Sequence, residues 1–354
     1  MQVASTDEVL IRREGRAGRI TMNRPQALNA LTLAMVDRIW EALLAWKSDP
    51  AVELILLDGA GDRALCAGGD VRALYDSREQ QGSKLARTFW RNEYPLNALI
   101  GRYPKPYVAI QDGIVMGGGI GLSGHAQHRI VTERSRLAMP ETGIGLIPDV
   151  GGTWLLAHAP GALGIYLGLT GEVMRAADAI HARFTNDFIP SSKISQLVAR
   201  LVDAGGGPIE EAVRALAEDA GPSALAARRA DIDHAFGTGS VEAMLETLRK
   251  MPGEWAQKTA ATLMQKSPKA MKLTLAAIRN APRLGSLKAA LNVEYRLCVR
   301  LFEDGEFPEG VRALIVDKDR SPKWSPAQLA DVSPELIAAY LAPLAPDEEL
   351  GLAP

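Results

Sequence analysis

Two glycine clusters and two acids are the residues best placed to do chemistry. Gly68-Gly69 and Gly117-Gly118-Gly119 each follow a strand-like run. Glycine lets the backbone approach a ligand closely and adopt positive φ. Two such turns brought together could aim two backbone N–H groups at one oxygen. Such an oxyanion hole is strong: losing one donor typically costs about 3–4 kcal/mol of transition-state stabilisation. Two tight turns with no ligand are the plainer reading. Glu141 and Asp149 lie eight residues apart in the loop 139–152, which is apolar and rich in Gly and Pro. Carboxylates in such surroundings hold their protons to higher pH, so they can serve as acid, base or nucleophile. Two in one pocket can divide those roles. The plainer reading makes Glu141 a turn cap and Asp149 the N-cap of a helix starting near Gly151.

Other candidates carry less. Gly119, Gly121 and Gly124 spell G-x-G-x-x-G. A dinucleotide fingerprint, however, needs its glycines directly after the first strand of a βαβ unit, and several strand candidates come earlier here. His125 and His128 read as helix-end or packing residues, because no G-x-S-x-G elbow accompanies Ser123. Cys66 has no close cationic neighbour in sequence and reads as an inert, packed thiol. The two cysteines, Cys66 and Cys298, form no CxxC pair, and the five histidines include no HExxH. No metal site is expected. Ser267-Pro268 with Lys269 and Lys272 reads as a capped, solvated helix.

These residues need a frame. Val9 to Arg13, Arg19 to Met22, Val52 to Leu57, Tyr107 to Gln111, His128 to Glu133 and Arg136 to Ala138 read as strands. Thr32 is placed to cap a helix that runs to Lys47 and buries Val36, Ile39 and Leu43. A long helical stretch after Asp70 reaches Ile100. From Trp154 onward the pattern is almost wholly helical. Strands alternating with helices, then a helical tail, indicate an α/β fold with a helical C-terminal region. Gly205-Gly206-Gly207-Pro208 is the candidate boundary, dividing the chain into residues 1–204 and 205–354.

Composition narrows the function classes. The 354 residues are 47% hydrophobic and 23% charged, as expected of a globular chain. Forty Lys and Arg against 42 Asp and Glu give a net charge of −2, so no basic surplus points to nucleic acid. No apolar run approaches the roughly 18 residues of a membrane span. Met1 to Glu8 shows no apolar or Arg-rich targeting pattern, so the expected location is cytoplasmic.

Four segments then become recognisable together: 23–31 (NRPQALNAL), 66–71 (CAGGDV), 112–119 (DGIVMGGG) and 139–142 (MPET). In these, and in their order, the chain resembles the crotonase (enoyl-CoA hydratase/isomerase) superfamily. The stretches 89–97, 105–107 and 148–152 are similar to its 3-hydroxyisobutyryl-CoA hydrolase branch. So is a long C-terminal region containing Glu294-Tyr295-Arg296 and Glu309-Gly310-Val311-Arg312. The resemblance implies a crotonase-like ββα spiral core. It implies that the N–H groups of Gly69 and Gly118 form the oxyanion hole for a thioester carbonyl. It matches Glu141 to the catalytic glutamate, Asp149 to an acid of the hydrolase branch, and Glu93 to a pocket acid that binds substrate. Gln26, Ala27 and Leu28, with Ala67, Gly68, Asp70 and Val71, match segments that bind the CoA moiety.

One position departs from the hydratase pattern. Hydratases carry a second catalytic glutamate where this chain has Gly121. The implied activity is therefore thioester hydrolysis of a short branched 3-hydroxyacyl-CoA, namely 3-hydroxyisobutyryl-CoA, as in valine breakdown. An enoyl-CoA hydratase or isomerase on the same fold is the alternative. An idle CoA-binding protein would have lost the acids or the glycines, and a nicotinamide-dependent oxidoreductase ranks last. No cofactor is implied, because CoA is part of the substrate. The expected partner is the small-molecule acyl-CoA, with no nucleic acid and no membrane. Relatives in this superfamily often form homo-oligomers through C-terminal helices, and the longer tail here leaves assembly open.

Overall fold

The computed structural model describes residues 7–353; most of the N-terminal segment read above for targeting signals lies outside them. Two sheets are built in alternation. β1 (Val9–Glu14), β2 (Ala17–Met22), β3 (Leu54–Gly59), β5 (Tyr107–Gln111), β7 (His128–Val131) and β9 (Asp187–Phe188) form one sheet in that order. Only the β1–β2 pair is antiparallel. β4 (Ala64–Cys66), β6 (Ile114–Met116) and β8 (Arg136–Ala138) form a second, parallel sheet. Each spiral turn thus lays one strand in the large sheet and the next in the small one, the architecture implied by the crotonase resemblance.

The large sheet is covered on both faces, which explains its near-continuous apolar runs. Ile55 and Leu57 of β3 join the main core, whereas Leu54 and Leu56 join a second cluster with Val108, Ile110 and Ile130. Helices Ile194–Val202 and Ile209–Arg214 cover that second cluster. The segment 205–208 is a turn pinned to the body by Arg16, which donates to the carbonyls of Leu201 and Gly207 at 3.0 and 2.9 Å. The main core runs from β1 to Tyr340, so the C-terminal helices share it with the strands.

Local signals place the helices well. In α1 (Leu33–Lys47) the Thr32 hydroxyl accepts from the Met35 N–H, and Val36, Ile39 and Leu43 are buried. The long stretch after Asp70 is two helices, α2 (Val71–Gln81) and α3 (Lys84–Ile100). They separate at Gly82, whose φ of +58° no helix continues. β4, β6 and β9 are strands that sequence periodicity misses; at two or three residues they are too short to show alternation. Helix Pro268–Leu284 is capped by Ser267 as expected, but it is not the solvated helix expected above. It is largely buried, with Lys269 paired to Asp304 and Glu306 and Lys272 paired to Glu242. No helix among the described residues is long and apolar enough to cross a membrane.

Candidate active site

The small sheet assembles the site. β4, β6 and β8 are adjacent and parallel, so the segments leaving their C-terminal ends emerge side by side. These segments are Ala67–Gly69, Gly117–Gly118 and Met139–Glu141. Open α/β sheets bind ligands at this end of their strands. A cavity of about 200 Å³ opens there, with Ala67, Gly68, Gly69, Val71, Glu93, Gly118, Glu141 and Asp149 in its wall. Trp90 and Phe307 supply part of its apolar lining.

The backbones of Gly69 and Gly118 come close together. Leu31 bridges Gly69 in parallel fashion: its N–H bonds to the Gly68 carbonyl, and its carbonyl accepts from Asp70. That pattern turns the N–H of Gly69 away from Leu31. Gly118 begins α4 (Gly118–Ser123), so its N–H has no intrahelical acceptor. Gly117 makes the turn with φ +46°. A Cβ placed on Gly118 would lie 3.3 Å from the Gly69 nitrogen and 2.8 Å from Glu93 Oε1. A Cβ on Gly117 would lie 3.0 Å from Glu141 Oε1. The paired glycines therefore sit between two acids, and two N–H groups so placed can hold an oxyanion.

The acids are buried. Burial, and then the charge of Asp149, push Glu141 and Glu93 well above the usual carboxylate range. Glu141 Oε2 and Glu93 Oε1 have no hydrogen-bond partner among the described residues, which leaves them free to bond a ligand. Burial raises Asp149 to about 6, opposed chiefly by the Tyr94 hydroxyl, which donates to Asp149 Oδ2 at 2.7 Å.

Asp149 is not the helix cap considered above. Helix α5 (Gly152–Ala157) is capped instead by Glu294, whose carboxylate accepts from the N–H groups of Gly151 and Thr153 at 2.7 and 3.0 Å. Asp70 spends its side chain on the fold. Its carboxylate caps α2 through the Ala73 N–H and pairs with Arg24 at 3.1 Å, outside the cavity wall. Gln26, Ala27 and Leu28 also lie outside that wall. Their turn abuts it where the Leu28 carbonyl accepts from Ala67 N–H at 3.0 Å. Position 121 has no space for a second acid. A Cβ there would lie 2.7 Å from Val150 Cβ and 2.8 Å from Asn97 Nδ2.

Sequence reading missed Tyr94, Asn97 and Glu294. A signal was present for one of them, Asn97. Phe89, Glu93 and Asn97 form one stripe of α3, and two polar residues on a buried stripe are anomalous. His125 is a packed, neutral histidine, as expected. Burial lowers it to about 4, and its Nε2–H donates to the Val150 carbonyl at 2.8 Å. Cys66 is fully buried, with its thiol raised to about 12 by burial.

Comparison with known proteins gives this geometry a family. An enoyl-CoA hydratase/isomerase profile matches residues 17–341. The mitochondrial 3-hydroxyisobutyryl-CoA hydrolase of Danio rerio is 42% identical over 95% of this chain and 90% of its own length. The crystal structure of a carnitinyl-CoA dehydratase from Mycobacterium thermoresistibile superposes with a TM-score of 0.92 at 44% identity, covering 97% of this chain and 98% of that one. An enoyl-CoA hydratase from Rhodobacter sphaeroides gives 0.90 at 42%, covering 97% and 99%. The expected cytoplasmic location is overturned, because the relatives from Danio rerio, Xenopus tropicalis and Rattus norvegicus are all named as mitochondrial enzymes. With its spiral of paired sheets and a match across nearly its whole length, the chain belongs to the enoyl-CoA hydratase/isomerase (crotonase) family, in the branch of the 3-hydroxyisobutyryl-CoA hydrolases.

Proposed function

We propose that this protein hydrolyses the thioester of 3-hydroxyisobutyryl-CoA, the compound in its relatives' names, to 3-hydroxyisobutyrate and CoA. The thioester carbonyl oxygen lies between the N–H groups of Gly69 and Gly118, an oxyanion hole that holds the charge as the carbonyl carbon becomes tetrahedral. Glu141, as its carboxylate, acts on that carbon directly or through a water. The C–S bond breaks, CoA leaves as a thiolate that takes up a proton, and water supplies the second oxygen of the acid. Asp149 orients the 3-hydroxyl or handles the protons, and Glu93 positions the substrate. The reaction needs no cofactor beyond the CoA carried by the substrate.

The observation that carries hydrolysis over hydration is the crowded position 121. Val150 and Asn97 fill the space of the hydratase's second glutamate, while Asp149 stands in the cavity wall. The test is free-thiol release from 3-hydroxyisobutyryl-CoA beside crotonyl-CoA, with Glu141→Gln and Asp149→Gly as controls. Thiol release that both substitutions cripple, with crotonyl-CoA unchanged, is the expected result. Hydration of crotonyl-CoA without thiol release would overturn the reading.

A further inference from the structure

Residues 149–153 are held one after another by side chains from distant parts of the chain. The Tyr94 hydroxyl holds the Asp149 carboxylate, and the His125 ring holds the Val150 carbonyl. Glu294 takes the N–H groups of Gly151 and Thr153 and also the Thr153 hydroxyl. The segment requires such restraint. Val150 has φ +54° and Gly151 φ +80°, and a β-branched residue in that region is an outlier. Strained turns of this kind persist only where their surroundings over-determine them.

Glu294 is fully buried on helix Leu287–Glu303, and it does not line the cavity. A carboxylate is a costly group to bury unless hydrogen bonds satisfy it. Here both of its oxygens are spent on the loop. One turn further along, Cys298 places its sulfur 3.3 Å from the Tyr94 hydroxyl. Residues four apart share a helix face, so one face of this C-terminal helix braces both the loop and the tyrosine that holds Asp149.

We propose that Glu294 is a positioning residue for the hydrolysis: its grip on Gly151 and Thr153 fixes the left-handed Val150–Gly151 turn and so aims Asp149 into the cavity. This rests on the part given to Asp149 above. It makes the helical C-terminal region a working part of the active site.

A double-mutant cycle tests the proposal on the full-length enzyme, with thiol release from 3-hydroxyisobutyryl-CoA as the readout. Glu294→Gln keeps the shape but turns an amide NH2 toward one of the two N–H groups. Its kcat falls on the order of tenfold to a hundredfold, the scale of a small misplacement. Its KM stays within about threefold, since the Gly69–Gly118 hole and Glu93 are untouched. The Asp149→Asn, Glu294→Gln double variant is no slower than Asp149→Asn alone, because aim is irrelevant once the aimed group is gone. Thr153→Val removes only the hydroxyl contact. It shows a smaller kcat loss with the same non-additivity, and it carries the test if Glu294→Gln does not fold. Wild-type kcat in both variants, or losses that multiply in the double variant, overturn the proposal and leave the role of Asp149 standing. Full activity in Asp149→Asn overturns both.

Discussion

The site has two regions, built by different means. The hole between β4 and β6 is made of backbone: a parallel bridge turns one N–H, a helix start frees another, and glycine keeps side chains away. The loop 149–153 is made of side chains, with Tyr94, His125 and Glu294 each holding one part. In the function proposed above, the backbone region holds the thioester carbonyl whatever the acyl chain. The side-chain region carries Asp149, and with Val150 crowding Gly121 it is where the proposed hydrolysis is set apart from hydration. A backbone hole is set by strand register and changes little. A loop held by three side chains can be re-aimed by a single substitution.

Four variants test that division, in order of expected effect. Glu141→Gln removes the group that acts on the carbon, and kcat for thiol release falls by at least about 10³-fold. A smaller loss would move the chemistry to Asp149. Gly118→Ala pushes a methyl toward Glu93 and the Gly69 nitrogen, and kcat falls by about 10²-fold, the scale of a lost oxyanion donor. That loss is the same for every thioester tested, as a backbone hole requires. Tyr94→Phe leaves the hole intact but frees Asp149, and kcat falls about tenfold, the scale of one hydrogen bond to a charged group. Equal losses for substrates with and without a 3-hydroxyl would remove the distinction between the regions.

The fourth variant shifts a pH profile. Glu141 must be ionised to act, and burial and the charge of Asp149 hold its proton to higher pH. The kcat/KM of the wild type therefore rises with pH along a limb above the usual carboxylate value of about 4.3. Asp149→Asn removes the neighbouring negative charge, which makes ionisation of Glu141 easier. The limb then moves to lower pH by about one unit, even as kcat falls. A limb that stays in place would mean that the two acids do not sense each other.

The same division explains what could be read from sequence. Gly68-Gly69 and Gly117-Gly118 are legible because backbone chemistry demands glycine, and glycine clusters are visible as such. Glu141 and Asp149 are legible because acids in an apolar loop are unusual. β4 and β6, which bring these turns together, are three residues each and leave no periodic trace. Glu294 is hidden for another reason. Its partners lie 143 and 141 residues earlier, and nothing near Glu294 in sequence shows which backbone groups it must satisfy. The Asp70 side chain caps a helix, a role the glycine motif around it does not show.

The burial of both cysteines matters to an enzyme whose product is a thiol. Cys66 and Cys298 are wholly enclosed, and burial raises both thiols, Cys66 to about 12. Disulfide exchange needs a thiolate and access to it. Neither cysteine lines the cavity, so a thiol released there is expected to meet no partner for a mixed disulfide. A thiol-reactive dye added to the native protein counts product alone.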